Sequence, residues 1–141
     1  MESLLITILV TSVPILLAGT GELIAEKSGV LNLGVEGMML TGAVAALGSV
    51  LIFGNPLAGI FFGALAGILI SLIFSFFTIF LMTNQVATGL GLTIFATGLT
   101  GLIGEPFVGK TISSLPKIDI IFLSDIPFLG SIFFKYSTFF T

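Results

Sequence analysis

The chain holds 141 residues, 56% of them hydrophobic and only 8% charged, with a formal net charge of −3. So apolar a composition marks a membrane protein and excludes an ordinary soluble domain. The acidic balance and the absence of arginine exclude a nucleic-acid surface, and the absence of cysteine excludes disulfide and thiol chemistry.

A helix rises about 1.5 Å per residue, so roughly 20 apolar residues cross a hydrocarbon layer about 30 Å thick. The first such stretch, Ser3 to Gly21, carries no charge. Met1-Glu2 lacks the basic start of a secretory signal, and no polar stretch with a small-residue cleavage site follows at Thr20 to Glu26. The stretch therefore reads as a retained span.

Next comes GELIAEKSGVLNLGVEGMMLTGA, Gly21 to Ala43, which carries Glu22, Glu26, Lys27 and Glu36. Glu22 and Glu26 stand one helical turn apart, as do Asn32 and Glu36 if that part is helical. Gly29, Gly34 and Gly37 let the chain bend or approach a neighbour closely. This mix fits a broken or re-entrant helix, whose backbone must then be satisfied by protein or water. It fits an ordinary cytoplasmic turn equally well. Glu22, Glu26 and Lys27 read as an interfacial charge cluster that fixes the fold, since ionised groups at the ends of spans cost little. A carboxyl pair can do acid–base work only if one member is tuned by its surroundings. With no His or Cys in the chain, no catalytic residue, metal site or cofactor is expected.

From Gly37 to Gly104 there is no charged residue, which leaves room for about three spans. Gly54-Asn55-Pro56 and Thr83-Asn84-Gln85 punctuate that block, the first by turn chemistry and the second as a cluster of amide side chains. The spacing predicts spans at 3–21, 37–54, 57–82 and 86–104, followed by a loop over about 105–135. The expected fold is an all-α integral membrane protein, a single membrane domain over 1–141 with about four transmembrane helices.

Helices in lipid associate through close backbone approach, for which small residues are needed. Gly59, Gly63 and Gly67 share one face of the third span, and Gly89, Thr93, Thr97 and Gly101 form a stripe on the fourth. Both faces are read chiefly as packing surfaces.

GEPFVGKT, Gly104 to Thr111, matches the pattern of a phosphate-binding loop. That loop needs a β-strand before it and a helix after it, so that helical N–H groups meet the phosphates. Here a span-length apolar stretch precedes it, Pro106 stiffens it, and Pro116 cuts short any helix that follows. With 18 glycines in the chain, the match reads as chance.

Three stretches carry a family resemblance. ELIAEKSGVLNLGVEGMMLTGA resembles the amino-terminal signature of permease subunits of ATP-binding-cassette importers, in the branch of branched-chain amino acid, simple-sugar and nucleoside permeases. NQVATGLGLTIFATGL, Asn84 to Leu99, and SDIPFLGSIFF, Ser124 to Phe134, resemble later parts of the nucleoside and simple-sugar subgroup in the same order. The resemblance implies an alternating-access path for a nucleoside or simple sugar, formed with a second permease subunit. It also implies an extracytoplasmic solute-binding protein, separate ATPase subunits that do the hydrolysis, and a place in the cell (inner) membrane. Asn32, Glu36, Asn84 and Gln85 are the expected residues of the path or its mouth.

Permeases of this family are roughly twice as long and carry a Gly-, Asn- and Ala-rich loop that contacts the ATPase. Nothing after Phe107 resembles that loop. The chain thus reads as the amino-terminal half of a permease, whether truncated, a fragment or a split subunit. The resemblance puts the 105–135 loop outside, and the Lys27 connection then lies inside, in agreement with the positive-inside rule. The competing readings are an inactive remnant or structural membrane protein, and an ion-coupled carrier or channel using Glu22 and Glu36.

Overall fold

The computed structural model describes residues 2–112. These residues belong to two compact units, 2–17 and 18–112. The described part is helical: α1 is Glu2–Lys27, α2 is Val35–Phe53, α3 is Pro56–Ser75 and α4 is Gln85–Gly104. A π-helical turn, Phe76–Phe80, extends α3, and a 3-10 turn, Glu105–Phe107, extends α4. Among the described residues, four segments are long and apolar enough to cross a membrane: Thr7–Lys27, Val35–Phe53, Pro56–Phe80 and Gln85–Phe107.

The unit of residues 2–17 consists, in its described part, of the first turns of α1. Pro14 lies inside this helix and cannot donate to the preceding turn. Just before it, Thr11 donates to the Thr7 carbonyl at 2.8 Å and Ser12 donates to that of Leu9 at 2.8 Å. Such back-bonding keeps hydroxyls off lipid.

In the second unit, several helix ends have a local cause. α1 continues past Gly21 to Lys27, because the charges of its last turns sit at a span end, where they cost little. It stops at Gly29, whose φ of 83° only glycine adopts freely. The Gly29 amide donates to the Glu26 carbonyl at 2.9 Å and that of Val30 to Ala25 at 3.1 Å, the paired bonds of a Schellman end. Gly54 closes α2 with φ 64° and an amide bond to the Val50 carbonyl at 2.8 Å. One residue on, the Asn55 side chain accepts from the Leu57 amide at 2.9 Å and Pro56 occupies the first turn of α3. Three consecutive residues thus end one helix and begin the next.

α2 and α3 form an antiparallel hairpin, with Gly42 against Gly63 and Val50 against Gly59. α2 and α4 run parallel: Gly34 meets Gly89, Gly37 meets Thr93 and Ala96, Val44 meets Gly104 and Gly48 meets Phe107. The 28–34 segment and the turn at 81–84 therefore share one end of the bundle, and Gly54 shares the other with Phe107. Ile70, Phe74 and Leu92 form the buried core, with Val30 and Met38 packed on it. The core thus lies at the end of the bundle where α1 gives way to α2.

Candidate functional site

Residues 28–34 are not helical, and they lie along the first turns of α4 rather than beyond its end. Thr93, whose hydroxyl donates to the Leu33 carbonyl at 3.1 Å, stands roughly 12 Å along α4 from Gln85. The second span therefore begins as irregular chain and becomes helical only at Val35. Backbone in that setting must find partners within the protein, since hydrocarbon offers none.

The partners are specific side chains. Gln85 on α4 accepts from the Leu31 amide through Oε1 at 2.7 Å and donates from Nε2 to the Gly29 carbonyl at 3.4 Å. Glu22 on α1 accepts from the Asn32 amide through Oε1 at 2.9 Å. Asn32 closes a local turn by accepting from the Gly34 amide at 3.0 Å, and its Nδ2 meets Met38 Sδ at 3.6 Å. Two helices, α1 and α4, thus hold one broken segment between them.

The close approach depends on two glycines. A Cβ at Gly89 would lie 2.9 Å from the backbone nitrogens of Leu33 and Gly34, and one at Gly37 would lie 2.9 Å from Ala96 Cβ. Nothing larger fits where the backbones meet.

The residues singled out in the sequence divide among several places. Asn32 and Gln85 both belong to the broken segment and its clamp. Asn84 caps α4, accepting from the Ala87 amide at 3.1 Å. Glu36 is exposed on the first turn of α2, where a negative charge suits the helix dipole. Glu26 and Lys27 are exposed at the end of α1, whereas Glu22 is partly covered. The two small-residue stripes are each split: Gly59 and Gly63 lie against α2, while Gly67 has nothing within 4 Å. On α4, Gly89 and Thr93 meet the broken segment, Thr97 is exposed and donates back to the Thr93 carbonyl, and Gly101 has nothing within 4 Å.

The Gly104–Thr111 stretch follows a helix, not a strand. Phe107 lies on Gly48, and Lys110 Nζ lies 5.9 Å from the Phe107 ring centroid. The part of the 105–135 loop after residue 112, with the SDIPFLGSIFF motif, lies outside the described residues.

Sequence reasoning missed the reach of Glu22 to Asn32 and of Gln85 to the broken segment. The only available signal was that Gln85 is a glutamine at the start of an otherwise uncharged span.

Four apolar helices, one entered through a broken segment, define a multi-pass α-helical membrane protein. The chain belongs to the family described as branched-chain amino acid transport system / permease component, whose model matches residues 4–140. It is 40% identical over 125 residues to a Haloferax volcanii protein provisionally named glucose ABC transporter permease protein TsgC13, an alignment covering 86% of this chain and 38% of that one. It is 34% identical over 138 residues to the guanosine ABC transporter permease protein NupQ of Bacillus subtilis, covering 90% of this chain and 43% of the relative. Against the nucleoside ABC transporter permease protein NupC of Lactococcus lactis subsp. cremoris the identity is 29% over 148 residues, covering 98% and 47%. The chain thus spans less than half the length of these relatives. No solved structure matches it.

Proposed function

We propose that the chain forms part of the transmembrane permease of an ATP-binding-cassette importer, lining a path for a nucleoside or simple sugar that opens alternately to the two sides. The observation that carries this reading is the family match over residues 4–140, together with relatives named for glucose, guanosine and nucleoside transport. All three named solutes are neutral or weakly ionising polyols, and an uncharged block from Gly37 to Gly104 suits such cargo better than a fixed charge would. Asn32 and Gln85 shape the path by holding the broken segment on α4, Asn84 caps the helix beside it, and Glu36 stands at the mouth. The end of the bundle bearing Lys27 faces the cytoplasm, and the end bearing Lys110 faces the solute-binding protein. Hydrolysis belongs to separate ATPase subunits, and a second permease subunit completes the path.

The test is a chimaera in which residues 1–141 replace the matching segment of the Bacillus subtilis guanosine permease, expressed in cells lacking that permease. ATP-dependent guanosine uptake above the empty-vector level supports the proposal. A chimaera that reaches the membrane yet restores no uptake of guanosine or glucose would sink it.

A further inference from the structure

Among the described residues, one buried side-chain oxygen has no partner within the fold. Glu22 Oε2 is sealed from solvent and has no hydrogen-bond partner, while Oε1 of the same carboxyl is fixed by the Asn32 amide. Native structures rarely leave such an atom unpaired. The bond through Oε1 fixes the carboxyl, so Oε2 is held in place beside the broken segment. A rigid acceptor without a donor is one half of a binding contact.

We propose that Glu22 Oε2 accepts a hydrogen bond from a hydroxyl of the transported solute. The assignment rests on the permease reading for the class of cargo, a polyhydroxylated neutral molecule, and on the orphaned oxygen for the contact itself. A hydroxyl supplies what this oxygen lacks, a hydrogen-bond donor. Oε2 is sealed in this conformation, so the contact belongs to a state of the transport cycle in which this oxygen faces the path.

Two measurements test this. In the chimaera, guanosine is compared with its 2′-, 3′- and 5′-deoxy analogues, with and without Glu22→Gln. That substitution keeps an oxygen for the Asn32 amide and replaces the other oxygen by an amide nitrogen. The expected result is that one deoxy analogue has a KM about tenfold above that of guanosine in the unsubstituted chimaera, and that Glu22→Gln shrinks this ratio below about threefold. Equal ratios in both backgrounds for all three analogues overturn the proposal. Independently of transport, infrared difference spectra of the 141-residue chain in lipid vesicles are recorded on adding guanosine or glucose. A carboxyl-stretch band that shifts with either solute and is absent from Glu22→Gln supports the contact, even should the chimaera prove inactive. No band sensitive to Glu22→Gln with either solute overturns it.

Discussion

Gly89 shows how much of this fold depends on the absence of one carbon. Its backbone lies against Leu33 and Gly34, and an added Cβ would sit 2.9 Å from two main-chain nitrogens, which cannot rotate aside as a side chain could. Gly89→Ala is therefore expected to destabilise the protein by about 1–3 kcal/mol, as overpacking does. The check is the midpoint of thermal loss of the monodisperse species in detergent. Gly67→Ala is the control and is expected to leave the midpoint unchanged or higher, since nothing lies within 4 Å of that position. Glu36 gives the opposite test. Its carboxyl is exposed and it helps the start of α2 only through the helix dipole, worth about 0.3–1 kcal/mol. Glu36→Gln in the chimaera is expected to lower uptake more than membrane insertion; equal loss of both would make the residue structural.

At the scale of elements, the Gly54-Asn55-Pro56 turn is the most economical device in the chain. Asn55→Ala removes the acceptor for the Leu57 amide and is expected to cost about 1 kcal/mol, read as a lower thermal midpoint that Asn55→Ser or Asn55→Asp restores. This turn was legible in the sequence because its chemistry is local: a left-handed glycine, a capping amide and a proline act on their own neighbours. The helical class and four apolar spans were legible for a similar reason, since length and hydropathy are properties of a single segment. The length of α1 was less so, because Gly21 and the charges after it look like a boundary although a helix tolerates them at a span end. The clamp was not legible at all. The pairing of Gln85 with Leu31 joins residues far apart in sequence, and no periodicity in either segment encodes it. The parallel register of α2 and α4 likewise depends on which glycines meet, and Gly67 and Gly101 had the same appearance as Gly63 and Gly89.

For the whole molecule, the helix directions make a prediction that needs no transport assay. These 141 residues hold no cysteine, so single cysteines introduced into them report on accessibility without a background. Ser28→Cys and Thr83→Cys are expected to react with a membrane-impermeant maleimide from one side, and Asn55→Cys and Lys110→Cys from the other. Labelling of positions 55 and 83 from the same side would contradict the arrangement of α2, α3 and α4.

The clamp also sets a timetable for biogenesis. α2 and α3 are neighbours in sequence and can pair as soon as both have left the ribosome, but the Leu31 amide waits for Gln85. At about 5–20 residues per second, that wait is about 3–10 s. Throughout it the start of the second span has no permanent partner on α4 for its exposed peptide groups, and lipid cannot substitute. The nascent chain must therefore spend those seconds in a watery or protein-lined vestibule, and any pause in synthesis between Gly54 and Gln85 prolongs its stay there.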